Sequence, residues 1–287
     1  MDVGIGLPAT IPGVTRDELL EWARRAEAAG FSSLGTIDRI VYANCEPLIA
    51  LTAAAAVTER IRLMTDIMIL PYRANAALVA KQALTIQHLS GGRLVMGTAV
   101  GGRPDDYDVS GVPFDQRGRR FEEMLEEIKG IWAGEEVGFA GAIGPQAEAG
   151  PPELLIGGST NAAFRRAAKY GDGWTMGGGT PDQFAEGHDK LRAAWADASR
   201  EGQPRAVALA YFGLGPNAEE RAGEDLSHYY AWLGEELAGM IIDSTATDED
   251  TVKGYVEAFA QAGADEFILF PVDTDPEQVD LLAQAVL

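Results

Sequence analysis

The stretch Ser90-Gly91-Gly92-Arg93-Leu94-Val95-Met96-Gly97-Thr98-Ala99-Val100-Gly101-Gly102-Arg103-Pro104-Asp105-Asp106-Tyr107 decides how the chain is read. Its opening Ser-Gly-Gly is a turn, since glycine takes the positive φ that other residues avoid. Leu94 to Val100 is a short apolar run with the length and bounding of a fully buried strand. Gly97, Thr98 and Ala99 within it are small, and a second glycine pair follows at its exit. A strand that becomes small at its C-terminal end leaves room there for something that is not protein.

Outward from this strand the same alternation repeats. Val3 to Leu7, Ser32 to Ile37 and Ile61 to Leu70 read as the three preceding strands. Leu154 to Gly157, Gly173 to Met176, Ala206 to Leu214 and Glu266 to Phe270 read as the four that follow. Helical periods separate them, with start signals at Thr15-Arg16-Asp17-Glu18, Thr180-Pro181-Asp182-Gln183 and Thr274-Asp275-Pro276-Glu277. The spacing predicts a long helix from Asp115 to Trp132, a loop over Gly134 to Pro152, and at least two helices within 217–262. Eight βα units in 287 residues imply parallel strands with right-handed crossovers closed into an α/β (β/α)8 TIM barrel, one domain over 1–287. An open doubly wound sheet is the competitor. It usually carries a glycine-rich turn after its first strand, where this chain has Leu7-Pro8-Ala9.

Composition narrows the function. Forty-four acidic against 23 basic side chains give a net charge of −21, which opposes nucleic-acid binding. No run has the length of a membrane span, the N-terminus has no basic head before an apolar run, and one cysteine, Cys45, excludes an internal disulfide. These features lead us to expect a soluble, cytoplasmic protein.

In a barrel the chemistry sits at the C-terminal strand ends. Those ends are glycine-rich and apolar. His88, His188 and His228 fall in helices without metal-ligand partners, so no metal site is expected, and there is no P-loop or Gly-x-Ser-x-Gly. Asp38, Asp105 and Asp106 remain as candidate acids. A site so poor in functional groups suggests that a bound cofactor carries the reaction. Gly157-Gly158-Ser159-Thr160 would let a phosphate approach the backbone, with Ser159 capping the next helix and Gly177 to Gly179 beside it. An ordinary helix cap after a glycine turn explains the same residues.

Several ordered pieces together resemble a known family. They are Arg60-Ile61-Arg62-Leu63 leading to Pro71, Ala80-Lys81-Gln82, Leu89 to Leu94, Gly97 to Gly102 with Asp106-Tyr107 and Gly111, and Gly130-Ile131-Trp132. Leu155 to Ser159, Ala167 to Trp174 and Ala262-Gly263-Ala264-Asp265 complete the series. On these the chain resembles the bacterial luciferase-like superfamily of flavin- and deazaflavin-dependent barrel oxidoreductases. The resemblance implies cofactor contacts from Asp66 and Ile67, at a bulged third strand often holding a cis peptide. It also implies contacts from Thr98, Ala99 and Val100, and a phosphate site at Gly157, Gly158, Ser159 and Thr160 with Gly177 and Gly178. Small Ala99 would leave space near flavin C4a. Interior barrel packing also accounts for Thr98 and Ala99.

Two positions depart from the family pattern. Many deazaflavin relatives have Asp-His after strand two, where this chain has Asp38-Arg39, and Val100 stands where luciferase carries a phosphate-binding arginine. Arg39 stays protonated and so cannot act as a base, but it can hold an anion or a carbonyl. A structural ion pair of Arg39 with Asp38 or Glu46 is the competing assignment. The implied function is a monooxygenase using reduced FMN (FMNH2) from a separate flavin reductase. With O2 it would form a C4a-peroxyflavin that oxygenates a small organic substrate. Asp38 and Arg39 are the catalytic candidates. Arg39, Tyr107, Phe212 and the Tyr229–Trp232 helix are the substrate-contact candidates. The alternatives are a hydride-transfer oxidoreductase using coenzyme F420 and a non-catalytic flavin-binding protein. A homodimer is the assembly the family implies.

Overall fold

A computed structural model describes residues 1–287. Eight parallel strands close into a barrel in sequence order. They are β1 (Asp2–Gly6), β2 (Ser33–Thr36), β3 (Arg62–Ile69), β4 (Leu94–Ala99), β5 (Glu153–Gly157), β6 (Gly173–Met176), β7 (Arg205–Phe212) and β8 (Glu266–Pro271). The connecting helices are α1 (Arg16–Ala29), α2 (Pro47–Ala55), α3 (Ala76–Leu89), α4 (Pro104–Ser110), α5 (Arg117–Trp132), α6 (Asn161–Tyr170) and α7 (Pro181–Asp197). After β7 come α8 (Ala218–Tyr229), α9 (Glu235–Asp243) and α10 (Glu249–Gln261), and α11 (Glu277–Val286) closes the chain. The barrel expected from the alternation is therefore the observed fold.

Local chemistry sets the helix starts. Glu18 N–H donates to Thr15 Oγ1 at 3.3 Å while Thr15 N–H donates to Glu18 Oε2 at 2.7 Å, a reciprocal cap for α1. Thr180 and Gln183 do the same for α7. The last helix differs from expectation. It begins at Glu277, whose N–H donates to Asp275 Oδ1, while the Thr274 hydroxyl turns away to Glu18.

Strand parity divides the core into two layers. On β7, Ala206, Ala208 and Phe212 pack between barrel and helices. Val207, Leu209 and Tyr211 pack inside the barrel with Met64, Val95, Leu155, Ile268 and Phe270. Phe270 fills the centre so closely that a Cβ on Gly6 would lie 2.4 Å from its ring, and one on Gly35 2.7 Å. Large residues on β8 thus oblige glycine on β1 and β2, which is ordinary barrel complementarity.

Candidate functional site

At the C-terminal end of the strands lies a cavity of about 210 Å³. Its floor is Asp66 and Ile67 from β3 with Gly177 just after β6. Its walls are Tyr72, Tyr107, Tyr211, Tyr229 and Tyr230, and Arg103 and Trp232 stand at one side. The register of β3 against β4 shifts between Thr65 and Met68, and the Asp66–Ile67 peptide is cis. Ile67 lies over small residues. A Cβ on Gly157 would meet Ile67 Cδ1 at 2.6 Å and Ala99 Cβ at 3.2 Å, and one on Gly177 would meet Ile67 at 3.4 Å. Four distant stretches of sequence, at Ile67, Ala99, Gly157 and Gly177, thereby form one apolar shelf.

Asp66 is fully buried. Thr175 Oγ1 donates to its Oδ1 at 2.6 Å, and its Oδ2 has no partner. Burial pushes this carboxyl up to about 7, with the charge of Glu266 adding to the rise and the Thr175 hydroxyl opposing it. Asp38 is also buried, but it accepts from Ile69 N–H at 2.9 Å and from Arg73 Nη2 at 3.0 Å. Burial raises the Asp38 carboxyl against the pull of Arg73 and of that N–H.

Arg39 does not line the cavity. Its Nη1 donates to the Tyr229 carbonyl at 3.1 Å and its Nη2 to Asp105 Oδ2 at 2.9 Å, and its guanidinium lies 5.1 Å from the Tyr42 ring and 5.6 Å from the Tyr229 ring. Asp106 Oδ1 accepts from Ile40 and Val41 N–H at 3.0 and 2.7 Å. Arg39 and Asp106 together tie the β2 exit to α4 and to the end of α8. The ion pair expected of Arg39 with Asp38 or Glu46 is made instead by Arg73, which binds both carboxylates. Arg39 pairs with Asp105, because β2 ends so that successive residues face opposite sides of the loop.

Other sequence-predicted residues also move. Phe212 is fully buried on the helix-facing side of β7, and its neighbour Tyr211 faces the cavity. Thr98 shares the outward parity of Leu94 and Met96, and its hydroxyl donates to the Met68 carbonyl at 3.0 Å; only Ala99 points inward. The Tyr107 ring lines the cavity, but its hydroxyl donates to the Val100 carbonyl at 2.6 Å. Ser159 does not cap α6. Thr160 does, accepting from Ala163 N–H at 3.2 Å, one residue later than the pattern suggested. Gly158 turns the chain there with φ +121°, and Gly178 has φ +97°.

Arg103, Tyr72 and Tyr211 were not singled out by the sequence. The signal for Tyr211 is strand parity, and for Tyr72 its place just beyond Pro71 at the β3 exit. For Arg103 the only signal is its place after the Gly101-Gly102 pair. Four lining residues carry a buried polar atom without a partner: Asp66 Oδ2, Tyr72 Oη, Tyr229 Oη and Arg103 Nε. Buried polar atoms are nearly always satisfied by protein groups or ordered water, and five further unpartnered atoms lie outside the cavity.

These features define a (β/α)8 barrel with an aromatic-walled ligand pocket at its C-terminal mouth. The chain belongs to the luciferase-like monooxygenase family, whose model matches residues 1–279. An uncharacterized protein of Mycobacterium tuberculosis is 37% identical over 191 residues, 56% of this chain and 66% of that protein. The FMNH2-dependent dimethylsulfone monooxygenase of Pseudomonas putida is 27% identical over 224 residues, 74% of this chain. These matches span 66% and 56% of the relatives' own length. An F420-dependent secondary alcohol dehydrogenase shares the fold with a TM-score of 0.81 at 18% identity, covering 99% of this chain and 98% of that one.

Proposed function

We propose that the protein is a monooxygenase that takes reduced FMN from a separate reductase and, with O2, oxygenates a small organic substrate in the barrel mouth. The observation that carries this reading is the shelf of Ile67, Ala99, Gly157 and Gly177 beside the unpartnered Asp66 Oδ2. A flat heteroaromatic ring needs both an apolar surface to lie on and an edge partner for its polar atoms, and the residues present fit such a ring. The name of the Pseudomonas relative adds support for FMN.

Bound reduced FMN would supply the electrons that activate O2. The chain's residues would do the rest. Gly158 and the free N–H groups at the start of α6, capped by Thr160, would hold the phosphate. The Tyr72, Tyr107, Tyr211 and Tyr229 rings would exclude water from the reacting face. Arg39 would act as a positioning residue, fixing α8 and α4 over the mouth through Tyr229 and Asp105. Asp66, titrating near neutral pH, could hold or release a proton at its free Oδ2.

That same carboxyl favours a second reading, hydride transfer with coenzyme F420, because reduction of a carbonyl needs a proton donor in the cavity. Titration of the protein with reduced FMN under anaerobic conditions, and separately with F420, tests the choice. Micromolar binding of reduced FMN with no F420 binding is the expected result. F420 binding alone would transfer the chemistry to hydride transfer.

A further inference from the structure

The mouth contains three carboxyl groups and one guanidinium, which at first sight suits a cationic ligand. The pairing pattern reverses that impression. Asp38 is held by Arg73 and Ile69 N–H, and Asp106 accepts two backbone N–H groups with Arg39 Nε at 4.0 Å. Asp66, raised by burial to about 7, carries only part of a charge at neutral pH. Arg103 is the exception, for it makes no ion pair, and its buried Nε has no hydrogen-bond acceptor. Its nearest acidic neighbour in sequence, Asp105, is taken by Arg39.

Two rings steady Arg103, and the side chain of one of them, Tyr229, also acts as a hydrogen-bond neighbour that raises the guanidinium against its burial. The guanidinium carbon lies 4.5 Å from the Tyr229 ring centroid and 5.3 Å from that of Trp232. A neutral phenol is the strongest acceptor these rings offer, so the planar edge of the guanidinium, a fork of N–H donors matched to carboxylate or sulfonate oxygens, meets no anionic acceptor. The remaining wall is aromatic, with Tyr72 and Tyr107 edge to face at 5.7 Å. A chain of net charge −21 does not attract anions at long range, so recognition of an anion here would rest on this half-buried arginine, which makes no ion pair.

We propose that Arg103 recognises the substrate's charged head and that the substrate is an organic monoanion, a carboxylate or sulfonate on a flat unsaturated body. The inference rests on the mouth being the substrate site of the function proposed above, and it adds the class of compound. The cofactor phosphate is the competing claimant for the same guanidinium.

Calorimetry with three matched pairs tests it, each with and without saturating FMN: benzoate and benzamide, benzenesulfonate and benzenesulfonamide, 2-naphthoate and 2-naphthamide. In at least one pair the anion should bind about tenfold tighter than the neutral partner, the size expected of a charge-assisted hydrogen bond. Arg103→Gln should reduce that preference to less than about twofold, and Arg103→Lys should restore part of it, with unchanged melting curves reporting intact folding. No preference for the anion in any pair, or a preference that survives Arg103→Gln, overturns the proposal. So does a loss of affinity in Arg103→Gln for FMN but not for riboflavin, which would assign Arg103 to the phosphate. If neither FMN nor F420 binds the wild type while the anion preference persists, the cofactor reading fails and this one stands.

Discussion

The two ends of the barrel differ in how completely they satisfy buried charge, although Asp38 and Asp106 at the C-terminal mouth are paired. At the N-terminal end Glu266 is fully buried, yet it is bound by Arg205, accepts from Ser32 and from Ser33 Oγ at 2.7 Å, and has Arg62 at 3.4 Å. Arg205 also binds Glu153, and Arg62 binds Asp2 at 2.6 Å. At the C-terminal end Asp66, equally buried, has one hydroxyl partner, and Arg103 makes no ion pair. A satisfied network holds strands together, whereas buried groups without partners cost stability. The contrast divides stability from binding between the two ends.

The largest effect should come from breaking the satisfied end. Arg205→Ala leaves Glu266 short of its main counter-charge and should destabilise the fold by about 3–5 kcal/mol in urea denaturation, with FMN affinity unchanged in the native baseline. A change in affinity without loss of stability would erase the division. Asp66→Asn probes the other end. The native carboxyl titrates near 7 and the unfolded one near its ordinary value, so between about pH 4 and pH 7 the native state binds more protons. The contribution of Asp66 to stability therefore falls across that window by up to about 1.4 kcal/mol per pH unit, then levels off above it. Asparagine keeps an acceptor for Thr175 and does not titrate, so Asp66→Asn should gain on wild type from pH 4 to 7. A pH-independent difference between the two would show that Asp66 is ionised throughout.

The barrel was legible in the sequence because eight apolar runs alternate with helical periods and capped starts, signals that are local. Gly157 and Gly177 could be placed at strand exits, but as part of a phosphate site; that both lie against Ile67 could not be read from the sequence. Side-chain direction was less accessible. Phe212 and Tyr211 exchange roles on a one-residue shift of strand parity, and Thr98 and Ala99 divide in the same way. Helix α4 was missed because Arg103-Pro104-Asp105-Asp106 reads as a glycine-bounded loop until Pro104 is recognised as a first helical residue. Which arginine is free could not be read at all. In the sequence Arg39 follows Asp38 and Arg103 precedes Asp105 and Asp106, and only the folded chain brings Tyr229 and Asp105 to Arg39 and leaves Arg103 without an ion pair.

The smallest change in stability should accompany the most direct test. In Gly157→Ala the new methyl displaces the end of Ile67, a flexible group, toward the cavity, at about 1 kcal/mol in stability. The decisive measurement is an anaerobic titration of this variant beside the wild type with reduced FMN, with binding followed by calorimetry. Micromolar binding to wild type and at least about tenfold weaker binding to Gly157→Ala are predicted if, as proposed, the ring lies on this shelf. Equal affinities would contradict the assignment of the barrel mouth as the flavin site.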